Sequence, residues 1–161
     1  MSHILSGEDY LALPRDNESW LIDPIIPVGG AVMIYGAEKS GKSYSALDLG
    51  IAVTQGTKWM GFSSRRKGKV VYVQLDVPRN VWMSAYLEQL GASGLPVKDL
   101  HYADRETLDC WPFDAMNAEH TLKLKAALDE IQPQLVIVDT LRECHSGDEN
   151  DSQDMRNVIA N

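Results

Sequence analysis

Apolar and polar positions along this chain fall into blocks that switch between the period of a strand and that of a helix. "AVMIY", Ala31 to Tyr35, is a short apolar run behind Gly29 and Gly30 and predicts a strand. Ala46, Leu49, Gly50 and Val53 then share one helical face, which predicts a helix from Lys42 to Thr54. "TKWMGFSSRRKGK" reads as loop. "VVYVQLD", Val70 to Asp76, is β-branched and aromatic, and Pro78 ends it. Met83, Tyr86, Leu87 and Leu90 mark a second helix closed by Gly91, and "DLHYA", ending at Ala103, is a third, short strand.

Leu124, Ala127, Leu128 and Ile131 give a third amphipathic helix that stops before Pro133. "QLVIVD", Gln134 to Asp139, is continuously apolar, the pattern of a strand buried on both faces. "SQDMRNVIAN" reads as the opening of a fourth helix. Strands alternating with helices imply an α/β fold with a mostly parallel sheet. The 161 residues suit one domain, with residues 1–28 as an approach segment and 29–161 as the core.

Composition narrows the class. The sequence is 44% hydrophobic, enough for a core, and no apolar run approaches the ~18–20 residues of a membrane span. "MSHILSGEDYLALP" is acidic and has no basic segment ahead of a long apolar one, unlike a secretory signal. The two cysteines, Cys110 and Cys144, lie far apart and without metal-ligand spacing, so they read as free buried or half-buried thiols in a reducing, cytoplasmic setting. A net charge of −8 repels polyanions on average. The basic cluster Arg65 to Lys69 reads as a solvated turn before a strand.

One segment changes the picture. "GAEKSGKS", Gly36 to Ser43, fits the phosphate-loop pattern Gly-x4-Gly-Lys-Ser in full, between a predicted strand and a predicted helix. At average residue usage that pattern arises by chance in roughly half a per cent of chains this long. Gly36 and Gly41 let the backbone of Ala37, Glu38, Lys39 and Ser40 bend so that several N–H groups converge on one anion. The helix that begins at Lys42, Ser43 and Tyr44 turns its positive end to the same place. Lys42 is expected to reach the β- and γ-phosphates and the Ser43 hydroxyl to ligate Mg²⁺.

Two acids end apolar strands. Asp139 closes "LVIVD" and fits the acid that holds magnesium through water at the carboxyl edge of such sheets. Asp76 closes "VVYVQLD" at the same kind of edge, where it can orient a water beside the γ-phosphate or serve as a helix N-cap or a turn acid ahead of Pro78. No Asn-Lys-x-Asp segment, by which GTPases read guanine, occurs, which favours ATP. Trp20 and Trp59 lie beside apolar runs and read as core rather than as platforms for adenine. His3, His101, His120 and His145 share no metal-ligand spacing, and His145, close behind Asp139, reads as a surface residue.

In order, "WLIDPIIPVGGAVMIYGAEKSGKSYSALDLGIAV", "VVYVQLDVP" and "LVIVDTLRECHSGDENDSQDMRNVI" resemble three blocks of the RecA-like ATPases, nearest the branch of the RepA hexameric replicative helicases. The resemblance implies ATP on Gly36 to Tyr44, Mg²⁺ on Ser43 and Asp139, and water activation by Asp76. It also implies single-stranded DNA as a partner, assembly into a homo-oligomeric ring or filament, and phosphate or subunit sensing by Glu149 and Asn150. The family has glutamate where this chain has Asp76, which sets the carboxylate back by one methylene, roughly 1.5 Å.

In that family the strand between the phosphate-loop strand and the magnesium-acid strand comes later in the sequence than both. Nothing follows Asn161, so the resemblance implies either a part of a longer chain or direct pairing of the two strands, as in kinases and GTPases. Two other functions stay open at this point: an ATP-binding accessory protein in which Asp76 no longer supports turnover, and a P-loop kinase.

Overall fold

A computed structural model describes residues 4–14, 19–76, 86, 88, 97–104, 106–110 and 112–146. Its centre is a parallel sheet in which β5 (Val70–Gln74) lies between β6 (Leu100–Asp104) and β7 (Leu135–Asp139). The register aligns Tyr72 with Tyr102 and Ile137, and Gln74 with Asp104 and Asp139. All five residues of β5 are buried, which explains the unbroken β-branched and aromatic run in the sequence.

Helix α2 (Lys42–Gln55) covers one face of this sheet and α3 (Ala118–Ile131) the other. The short helix α1 (Gly7–Leu11) precedes them. Alternation along β5 divides its side chains between two cores. Val70 and Tyr72 pack with Leu47, Leu49, Ile51 and Val53 of α2. Val71, Val73 and Leu75 pack with Phe113 and with Leu124, Leu128 and Ile131 of α3. Gly50 lets α2 come close, because a Cβ there would already touch Ile137 and Val70 at 3.4 Å.

Asn117 starts α3 as its N-cap, its side-chain oxygen accepting from the amides of Glu119 at 2.9 Å and His120 at 3.4 Å. Replacing Asn117 with alanine is expected to cost about 1 kcal/mol of folding stability, measurable by urea unfolding. Cys110 and Cys144 are free and buried in the α3-side core, as their isolation in the sequence implied. Burial and the charge of Asp114 push the Cys144 thiol up to about 11, so it stays neutral and unreactive.

A second, antiparallel sheet joins the beginning of the chain to the connection after α2. Its order is β2 (Ile26–Pro27), β1 (Trp20–Asp23), β4 (Phe62–Ser64), β3 (Lys58–Trp59). The segment "TKWMGFSSRRKGK", expected to be loop, therefore contains a hairpin, turned at Met60 and Gly61 with φ of 48° and 88°. Trp59 is core, as expected, and its indole N–H donates to the Ser45 carbonyl of α2 at 3.0 Å. The basic cluster forms the irregular connection from β4 into β5. Arg65 pairs with Asp23 at 2.6 Å, and Lys69 donates to the Ile131 carbonyl, capping the negative end of α3 at 3.1 Å.

Two further expectations require correction. Ala31 to Tyr35 is not a sheet strand: among the described residues it pairs with no neighbour, and Val32, Met33 and Tyr35 are exposed. Nor is β7 buried on both faces. It forms an edge of the sheet among the described residues, and Val136 and Val138 are exposed on the side where α3 packs over β5. The expected helix at Met83 to Gly91 and the helix opening after Ser152 lie outside the described residues, apart from the helical positions Tyr86 and Glu88. Among the described residues no helix is long and apolar enough to cross a membrane.

Candidate active site

The loop ahead of α2 has the backbone that its sequence requires. Lys39 and Gly41 adopt φ of 59° and 84°, and the Ser40 amide closes a turn on the Ala37 carbonyl at 3.3 Å. At Gly41 a side chain would be strained in this left-handed conformation, so glycine is needed at the helix N-cap. No side chain caps α2, which leaves its positive end open to an anion. The Lys42 ammonium folds over the loop and donates to the carbonyls of Gly36 at 3.0 Å and Ala37 at 2.8 Å. A cation thus stands in the mouth of a ring of backbone groups on an exposed surface, where a phosphate can replace the two carbonyls.

Tyr44, in the first turn of α2, packs edge-on against Tyr86 with ring centroids 5.5 Å apart. Glu38 lies on the exposed outer part of the loop.

The carboxyl edge of the sheet brings the acids to the same end. The Leu75 amide donates to the Asp139 carbonyl at 2.7 Å, so Asp76 sits one residue beyond the last rung that joins β5 to β7. Asp76 is exposed there. Asp139 is tied to the loop side through Tyr72. The Tyr72 hydroxyl donates to Asp139 Oδ2 at 2.8 Å and lies 3.4 Å from the Ser43 carbonyl oxygen. Burial first, and then the charge of Asp139, hold the Tyr72 phenol far above its ordinary pKa, so it remains a donor.

The Ser43 hydroxyl and the Asp139 carboxylate are hard oxygen donors, and Tyr72 links Asp139 to the main-chain carbonyl of Ser43. Such a pair fits Mg²⁺, which takes one or two protein oxygens and completes its shell with phosphate and water. Among the described residues no group of three or more His, Cys, Asp or Glu side chains could hold a metal by itself. When bound, the ion would supply charge neutralisation at the β- and γ-phosphates.

Two features escaped sequence reasoning. Gln74 is 1% exposed, and among the described residues neither polar atom of its side chain has a hydrogen-bond partner. By alternation it shares the α2 face with Tyr72, in register between Asp104 and Asp139. The signal was present in "VVYVQLD", where the polar-tipped Tyr72, Gln74 and Asp76 recur every second residue. Replacing Gln74 with methionine is expected to stabilise the nucleotide-free fold by about 1–3 kcal/mol, read from urea unfolding. His145, expected at the surface, instead buries both ring nitrogens, with no partner for either among the described residues. The 3₁₀ turn Leu141–Cys144 tucks it beside Phe113, Asp114 and Ser146. Glu149 and Asn150 lie outside the described residues.

A family model described as "AAA domain" matches residues 4–161, nearly the whole chain. The chain belongs to the AAA domain family. No curated protein matches it. Membership in the AAA family supports nucleotide binding of the ATPase type, and it agrees with an α/β core built on a parallel three-stranded sheet. Within this AAA domain, Lys42 folds onto the loop carbonyls, Tyr72 links Asp139 to the first turn of α2, and Asp76 follows the end of β5.

Proposed function

We propose that this AAA domain is the ATP-binding and ATP-hydrolysing core of a RecA/RepA-like motor that acts on nucleic acid. In this reading Gly36 to Tyr44 hold the triphosphate, Lys42 neutralises the γ-phosphate, Ser43 and Asp139 hold Mg²⁺, and Asp76 orients the attacking water. The observation that carries the reading is the contact of one Tyr72 hydroxyl with both Asp139 and the first turn of α2, which joins the metal acid to the phosphate loop.

The RecA-like branch is supported by the resemblance of the segments around Gly36 to Ser43, Val70 to Asp76 and Leu135 to Cys144 to blocks of the RecA-like ATPases. Domain limits of 1–28 and 29–161, cytoplasmic residence and a ring or filament of copies belong to the same proposal.

The nucleic-acid partner is single-stranded DNA in this reading. Arg65 and Lys69 are engaged within the fold, so contact with DNA falls to other surfaces or to neighbouring copies. Steady-state ATP hydrolysis, measured while single-stranded DNA is titrated in, tests the proposal. Turnover that rises severalfold with DNA is the expected result. ATP binding with turnover indifferent to DNA would favour an accessory module, a reading also consistent with the net charge of −8.

A further inference from the structure

The Tyr72 ring is fully buried between α2 and the sheet, among Ala46, Leu47 and Ile51. Phenylalanine would fill that space equally well, so packing alone does not account for the hydroxyl. A hydroxyl removed from water costs about 1–3 kcal/mol unless it is bonded. Here it is bonded, and to a functional carboxylate. Tyr72 is in register with Ile137, two residues before Asp139 on the neighbouring strand. Such a diagonal of ~7–8 Å is within reach of an aromatic side chain. The phenol has one proton and two acceptors nearby, and the shorter contact, 2.8 Å, goes to the charged one.

We propose that Tyr72 is a positioning residue for Asp139: its hydroxyl fixes Oδ2 against the first turn of α2 and leaves the other carboxylate oxygen for the magnesium shell. The inference rests on the nucleotide-site reading above and adds a residue to it. Partners that orient a metal-binding carboxylate change metal affinity rather than the rest of the ligand's binding. Tyr72 should therefore govern how much Mg²⁺ the site needs and leave metal-free nucleotide affinity alone.

The test compares wild type with Tyr72→Phe, using a fluorescent ATP analogue titrated in EDTA and then at rising Mg²⁺. Affinity in EDTA is expected to agree within about twofold, while the Mg²⁺ concentration for half-maximal tightening rises about tenfold. In an Asp139→Asn background the same substitution should change nothing further. An unchanged Mg²⁺ requirement in Tyr72→Phe, in a wild type that does respond to Mg²⁺, would overturn this inference alone. A wild type that binds no analogue at all would overturn the functional reading and this inference with it.

A second measurement does not depend on how Tyr72→Phe folds. In protein labelled with 3-fluorotyrosine, Asp139→Asn is expected to shift one buried fluorine resonance without nucleotide. No shifted resonance would contradict the contact.

Discussion

Replacing Lys42 with alanine is expected to weaken nucleotide binding by at least about a hundredfold while leaving the fold intact. The ammonium lies within 3.0 Å of two carbonyls at the mouth of the loop, so it needs no long movement to meet a phosphate. Hydrogen bonds to charged groups contribute about 1.5–3 kcal/mol each, and two of them exceed the ~2.8 kcal/mol that corresponds to a hundredfold. Folding should hardly change, because the carbonyls released in the exposed loop pass to water and surface substitutions typically stay within about 0.5 kcal/mol. Thermal unfolding with and without ATP separates these effects. The variant should match wild type without nucleotide and lack the wild-type stabilisation with it. A variant that ATP still stabilises fully would remove Lys42 from the site.

The second large effect runs the other way. Asp76→Glu is expected to accelerate hydrolysis by about ten- to a hundredfold, since a displacement of ~1 Å at a reacting group can cost about a hundredfold. Asp76 is exposed just beyond β5, so the added methylene meets no packed core. The gain should fall on the chemical step, with ATP affinity changed little, because in the proposed role the carboxylate acts on water rather than on the bound nucleotide. Single-turnover hydrolysis with enzyme in excess measures that step directly. An unchanged rate would point to a chain that binds ATP without being shaped to hydrolyse it.

The elements that build the central sheet were legible because each carries its own periodic signal. The helix expected from Lys42 to Thr54 ends one residue later, at Gln55, and "QLVIVD" loses only Gln134 from its strand. The antiparallel sheet was not legible. Its strands are two to four residues long, too short for alternation to register, and their pairing of Ile22 with Ser64 spans a stretch that includes all of α2.

Residues 31–35 show the opposite failure. Their apolar run is real, but a strand needs a neighbour, and sequence pattern does not supply one. The phosphate loop could be read from spacing because its chemistry is local. The contact between Tyr72 and Asp139 could not, because it joins residues 67 apart through a strand register that exists only in the folded sheet. For the same reason Gln74 looked like an ordinary strand residue until burial separated it from water.

Calorimetric titration of the wild-type chain with a slowly hydrolysed ATP analogue in Mg²⁺ tests the central claim most directly. The expected result is one saturable site per chain, weakened when Mg²⁺ is removed and lost in Lys42→Ala. Absence of binding at millimolar nucleotide, from protein shown to be folded, would contradict it.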